Sequence, residues 1–146
     1  VSSFAATVGD WCKGVEGAVE AIFKASVQDV VSEMQKPRGA GGRMRVDTGF
    51  LRASLLGSTS AMPSIDPKAA PVEGRTYPAG EQVELTIAGL TLGQTFYAGY
   101  TASYAAAREY GARGQPPDAF VRTAAQGWQA IVAKNEQELM RRLGLS

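Results

Sequence analysis

Pro63, Pro67, Pro71 and Pro78 fall within residues 57–80, a stretch otherwise rich in Gly, Ser and Ala. Proline has no backbone N–H and clashes with the preceding helical turn. Neither a regular helix nor a central strand can therefore pass through this stretch. The expectation is an extended excursion with room for one edge strand, so regular structure must come from the two flanks. The 146 residues are 45% hydrophobic and 20% charged, enough for one ordinary core. The reading is one domain, 1–146, with an extended loop at 57–80. Such a loop is usually functional, and in an oligomer it can lie on a neighbouring subunit.

The N-terminal flank reads as a long helix over 4–36. Phe4, Val8, Trp11, Val15, Ala18, Val19, Ile22, Val30 and Met34 recur at helical spacing, with Asp10, Lys13, Glu16, Glu20 and Lys24 on the other face. Gly9, Gly14 and Gly17 each weaken a helix by ~1 kcal/mol relative to Ala, which moves the expected firm start to near Val15. Pro37 ends the helix, and 37–46 follows as a glycine-rich mobile loop. Asp47 or Thr48 can cap a short helix over 49–56, whose apolar face is Phe50, Leu51 and Leu55.

In the C-terminal flank, Val83, Leu85 and Ile87 alternate with Glu84 and Thr86, which predicts a strand over 82–90. After a turn at 91–94, residues 95–101 can return as the second strand of a hairpin, packed by Phe96, Tyr97 and Tyr100. A helical turn over 103–110 stops at Gly111. The last helix is expected from Pro117–Asp118 to about Leu143, with Arg141 and Arg142 complementing its dipole. The fold class is therefore α+β: a long N-terminal helix, a short helix, a small antiparallel sheet with a β-hairpin, and a long C-terminal helix.

The chain offers little chemistry. It contains no histidine and one cysteine, Cys12, so the commonest general base and an intrachain disulfide are both absent. Cys12, beside Trp11 in a helical pattern, reads as a buried or half-buried inert thiol. Asp47-Thr48-Gly49 spells the aspartic-protease triplet, but that chemistry needs two carboxylates sharing a proton after an apolar strand; a helix cap explains these residues more simply. The glycines at 39, 41 and 42 lack the preceding strand and the Gly-Lys-Ser/Thr of a phosphate loop. No apolar run reaches the ~20 residues of a membrane helix, and the N-terminus lacks a signal-peptide pattern. Net charge is +1, yet residues 37–58 set Arg38, Arg43, Arg45 and Arg52 against Asp47 alone. That strip reads as a solvated face or as a surface toward nucleic acid or an acidic partner. Glu109, between Tyr104 and Tyr110, reads as a surface ion pair or as an anchor to a neighbouring subunit.

Three short segments then stand out: Asp47-Thr48-Gly49 with Leu51, Arg52, Ser54 and Leu55; Tyr104 with Glu109, Tyr110 and Gly111; and Pro117 with Phe120, Arg122 and Ala124. In this order, between two long helices, they resemble the tail-completion (head–tail joining) family of long-tailed bacteriophages, often described as minor tail components. The resemblance covers roughly residues 10–143. It departs in the long, proline-rich insert around 57–80 and at Pro116-Pro-Asp-Ala-Phe120, where the family usually has proline directly before phenylalanine.

The resemblance implies a structural, non-enzymatic virion protein without cofactor or metal. It would complete the tail top or neck, joining tail to head as a ring, commonly of six, around the DNA channel. Implied partners are copies of itself, the tail terminator, head-completion or connector proteins, and the genomic DNA passing through; no membrane is involved. The implied location is the tail–neck region of the virion, with assembly in the host cytoplasm. Candidate subunit-interface residues are Asp47, Thr48, Arg52, Tyr104, Glu109, Tyr110, Phe120 and Arg122. Arg38, Arg43 and Arg45 are candidates for facing DNA. The alternatives are a tail-terminator or head-closure ring protein, or a nucleic-acid-binding module using the basic strip.

Overall fold

The computed structural model describes residues 3–145. Helix α1 spans Phe4–Gln35. It starts eleven residues earlier than the glycines suggested, with Ser3 Oγ accepting the Ala6 N–H at 3.1 Å and so satisfying one of the first turn's free donors. One 3-10 turn follows at Arg38–Ala40, then α2 (Phe50–Ala53), strand β1 (Leu55–Ser58) and α3 (Gln82–Ala88). Strand β2 (Tyr97–Tyr100), α4 (Ala105–Tyr110), α5 (Phe120–Gln126) and α6 (Trp128–Arg142) complete the described chain.

The α+β class stands, with long helices near both ends and one antiparallel strand pair. The pair is β1 with β2, in register Leu55↔Tyr100 through Ser58↔Tyr97. The expected strand over 82–90 is instead helix α3. Its apolar residues fit either period. Burial decides for the helix: Val83, Ile87 and Leu90 face the core at 4–3 spacing, whereas Leu85 is 72% exposed. The helix also places Gln82 against β1, where its amide pairs with both backbone groups of Gly57.

The core gathers Val27, Val31 and Met34 of α1 with Met44, Leu51, Leu55, Val83, Ile87, Leu90, Tyr100 and Phe120. Tyr100 and Phe120 meet edge to face, with ring centroids 5.1 Å apart. The 37–46 segment is pinned rather than mobile: Pro37 bridges Met44, and Met44 is fully buried. The 57–80 excursion is extended beyond β1. It lies along its own chain, with Asp66 N–H donating to Thr101 O, Ser103 N–H to Ala69 O and Tyr77 N–H to Thr48 O.

The single terminal helix expected over 117–143 is two. Helix α5 begins only at Phe120, after Ala119 in the left-handed region at φ 52°, and Gly127 separates it from α6. The delay has a cause at Asp118, described below. Helix α6 runs antiparallel to α1: Asn135 donates to Ser26 and Asp29, and Arg142 lies near Ala21 and Ile22.

Candidate functional site

Two of the three sequence segments meet at one surface cavity of about 270 Å³. Its polar lining is Arg45, Asp47, Thr48, Arg52, Tyr104 and Arg108; Val46, Phe50, Leu51 and Pro71 form its apolar wall. Gly49 makes the local bend possible. Its φ is +85°, and an added Cβ would run into the Tyr77 carbonyl oxygen, so only glycine fits there. Thr48 Oγ1 accepts the Phe50 N–H at 3.3 Å and Asp47 makes no such bond, so Thr48 is the residue that supports the start of α2. Phe50 stacks edge to face on Tyr77 at 5.0 Å and lies 6.3 Å from Tyr104, which fixes the cavity wall.

The cationic side chains here divide into two groups. Arg45 lies in a bidentate pair with Asp118: Nε donates to Oδ2 and Nη2 lies against Oδ1, each at 2.9 Å. Arg52 and Arg108 form no ion pair among the described residues. The Arg52 Nε is buried without any hydrogen-bond partner. Burial raises the Tyr104 hydroxyl above its ordinary range and Asp47 adds to that, while Arg108 and a hydrogen bond at the Leu51 backbone pull it back. The cavity thus sets Arg108 and Arg52 beside a neutral hydroxyl, the Asp47 carboxylate and apolar walls, with Arg52 also bordering a second cavity lined by Glu33 and Glu84; the guanidiniums give it a side suited to an incoming carboxylate or similar anion.

Asp118 is the residue sequence reasoning misplaced. The sequence pattern puts it at the exposed start of the last helix, but its side chain is fully buried under three arginines. Besides Arg45, Arg38 Nη2 reaches Oδ1 at 2.8 Å, and Arg43 Nε donates to the Asp118 carbonyl oxygen at 2.6 Å. Drawing Asp118 inward forces the left-handed Ala119 and postpones α5 to Phe120. The three candidate DNA-facing arginines therefore converge on one residue of their own chain, Arg38 and Arg45 on its carboxylate and Arg43 on its backbone carbonyl, although Arg38 stays half-exposed. The available signal was an acid lodged beside Phe120, the first large apolar residue of the segment, with three arginines elsewhere lacking acidic neighbours.

Glu109 is also corrected. It is neither a surface ion pair nor free to reach a neighbour, because it is buried and both its oxygens are used internally. Oε2 accepts the Val121 N–H and Oε1 the Arg122 N–H, each at 2.9 Å, so this side chain caps α5 from a distance. Phe120 is likewise core, only 2% exposed, and offers little to a subunit interface. Tyr110 and Arg122 are exposed and lie outside the lining of the cavity. Cys12 is exposed, not half-buried.

Among the described residues, no three acidic, His or Cys side chains group as metal ligands, and no helix is long and apolar enough to cross a membrane. Comparison with known proteins brings no match to a family model, a curated protein or a solved structure.

Proposed function

We propose that this chain is a structural, non-catalytic protein of a long-tailed bacteriophage. In this reading it completes the tail top or neck and joins tail to head as a ring around the DNA channel. The observation that carries the reading is the convergence of the Asp47–Arg52 segment and Tyr104 on one cavity, where Arg52 and Arg108 form no ion pair among the described residues and the Arg52 Nε is buried without a hydrogen-bond partner. A buried, unpaired guanidinium N–H costs stability in an isolated chain. A ring contact is head-to-tail, so one patch must meet a different patch on the neighbour. The cavity is then the receiving patch, filled by an acidic side chain of the adjacent copy, and no cofactor or metal takes part.

The test is an electron-microscopy reconstruction of the particle that carries this protein. A ring of its density at the head-proximal end of the tail tube supports the reading, and the layer it occupies separates tail completion from tail-terminator or head-closure roles. Absence from the particle overturns the reading. The nucleic-acid-binding alternative would then be pursued through salt-dependent DNA binding.

A further inference from the structure

Helix α1 is 32 residues long, but the molecule covers only its second half. The first buried residue of α1 is Ser26. From Phe4 to Gly17 every residue but Gly9 is exposed, including Phe4 at 84% and Trp11 at 69%. About 20 Å of helix therefore stands off the body, at 1.5 Å per residue. Isolated helices of this length are marginal in water, and three glycines weaken this one further. A projecting arm that is intrinsically weak and apolar along one side needs a partner to hold it.

The exposed stripe is Phe4, Val8, Trp11, Val15 and Val19. At 3.6 residues per turn it shares a helix side with Ile22 and Ser26, where α6 packs. The stripe is thus the continuation of the α1–α6 interface past the point where α6 ends, at Arg142. Its occupant is a helix running on along the line of α6, antiparallel to α1.

We propose that this occupant is α1 of a second copy, in an antiparallel, two-fold pair centred near Trp11 and Cys12. Three features favour self-pairing. The bare arm on each copy has the same length as the bare stripe on the other, so a pair leaves neither uncovered: Phe4 lies level with Val19 and Val8 with Val15. The charges are compatible. Asp10, Lys13, Glu16 and Glu20 lie on the other side of α1, so the contacting face of each copy brings no charge against the other. The area is sufficient. The five side chains, with Leu143 and Leu145 exposed at the end of α6, offer on the order of 700 Å², near the ~800 Å² each partner contributes to a stable interface. The pair uses no residue of the Arg52–Tyr104 cavity, so it stands apart from the ring reading.

The experiment is sedimentation of the full chain at micromolar concentration, beside a Val8→Glu/Val15→Glu variant whose substitutions lie on the exposed arm and leave the core intact. A wild-type species of twice the chain mass is expected, reduced to the monomer in the variant, whose melting temperature should match that of the wild type diluted until it is monomeric. Cys12 supplies an orientation test, because the two-fold brings both copies of this exposed thiol to the same flank. A short bismaleimide should link Cys12 to Cys12 in the wild type, with most of that product lost in the variant. Three results overturn the pairing: a wild-type monomer, a dimer indifferent to the double substitution, or a dimer that yields no Cys12 link. A larger wild-type ring that yields no Cys12 link also overturns it, while leaving the assembly role supported.

Discussion

Gln82 closes the open edge of β1 at Gly57. The Gly57 N–H donates to Gln82 Oε1 and Gln82 Nε2 donates to the Gly57 carbonyl, both at 2.8 Å. One side-chain amide thereby does what a third strand would do, and it shields an edge that could otherwise pair with another chain. The same Nε2 also reaches Thr86 Oγ1 one turn along α3, which fixes its orientation.

Gln82→Ala removes both bonds and leaves two partly buried backbone groups to water. A loss of about 1–2 kcal/mol is expected, seen as a fall in Tm of roughly 3–6 °C for a chain of this size. Tm within a degree of wild type would mean that the edge is satisfied without Gln82. A second sign is aggregation during refolding, measured by light scattering, which should rise in the variant.

Asp118 holds the 37–46 segment in place through Arg38, Arg43 and Arg45. Asp118→Asn keeps the shape and removes the charge. Breaking a buried ion pair from one side costs about 3–5 kcal/mol; the lower end is expected because both paired guanidiniums still reach solvent. Hydrogen exchange should speed up at residues 38–45, while amides of α1 beyond Ser26 keep their relative protection. Uniform loss across the molecule would instead mean that the clamp belongs to the global core.

Alkaline pH provides an independent probe of the core. Burial, with the Glu109 carboxylate adding to it, raises the Tyr100 hydroxyl far above its ordinary value of 10.0. The folded state therefore keeps its proton where the unfolded chain releases it. The contribution is whole below that ordinary value and declines above it, by up to ~1.4 kcal/mol per pH unit. Urea unfolding followed from about pH 9 to about pH 11 should show this slope. Tyr100→Phe should lower the plateau by about 1 kcal/mol, since the bond to Gln35 is lost, and should flatten the slope. An unchanged slope would assign the alkaline sensitivity elsewhere.

The long helices were legible because apolar residues repeat at one period over many turns, as in α1. The strand pairing was not. Val83, Leu85 and Ile87 satisfy both periods, and nothing local reveals that Leu55–Ser58 takes the place beside β2. For the Phe4–Val19 stripe, sequence shows an apolar face but cannot say whether its own chain covers it; α6 ends too soon. The candidate site was half legible. Thr48, Arg52 and Tyr104 were named from short segments, and the structure brings them together. Asp118 and Glu109 escaped because their partners lie far away in sequence: three arginines from the opposite flank for one, two backbone N–H groups of a later helix for the other.

Arg52 gives the sharpest test of the cavity, because stability and assembly should part company there. Its Nε is buried and bonded to nothing within the described chain. A group kept for the fold would be satisfied by the fold, and removing an unsatisfied one is nearly neutral or stabilising. Arg52→Met preserves the aliphatic stem that packs at the cavity rim and deletes the guanidinium. Its unfolding free energy should equal or exceed that of the wild type by up to ~1 kcal/mol. If the guanidinium instead receives an acidic side chain of a neighbouring copy, the variant should lose assembly into particles at least tenfold, the loss growing when Arg108→Ala is added. Complementation titres alongside urea unfolding would decide. A variant that assembles normally removes the cavity from the interface, whereas one that unfolds readily assigns Arg52 to the fold.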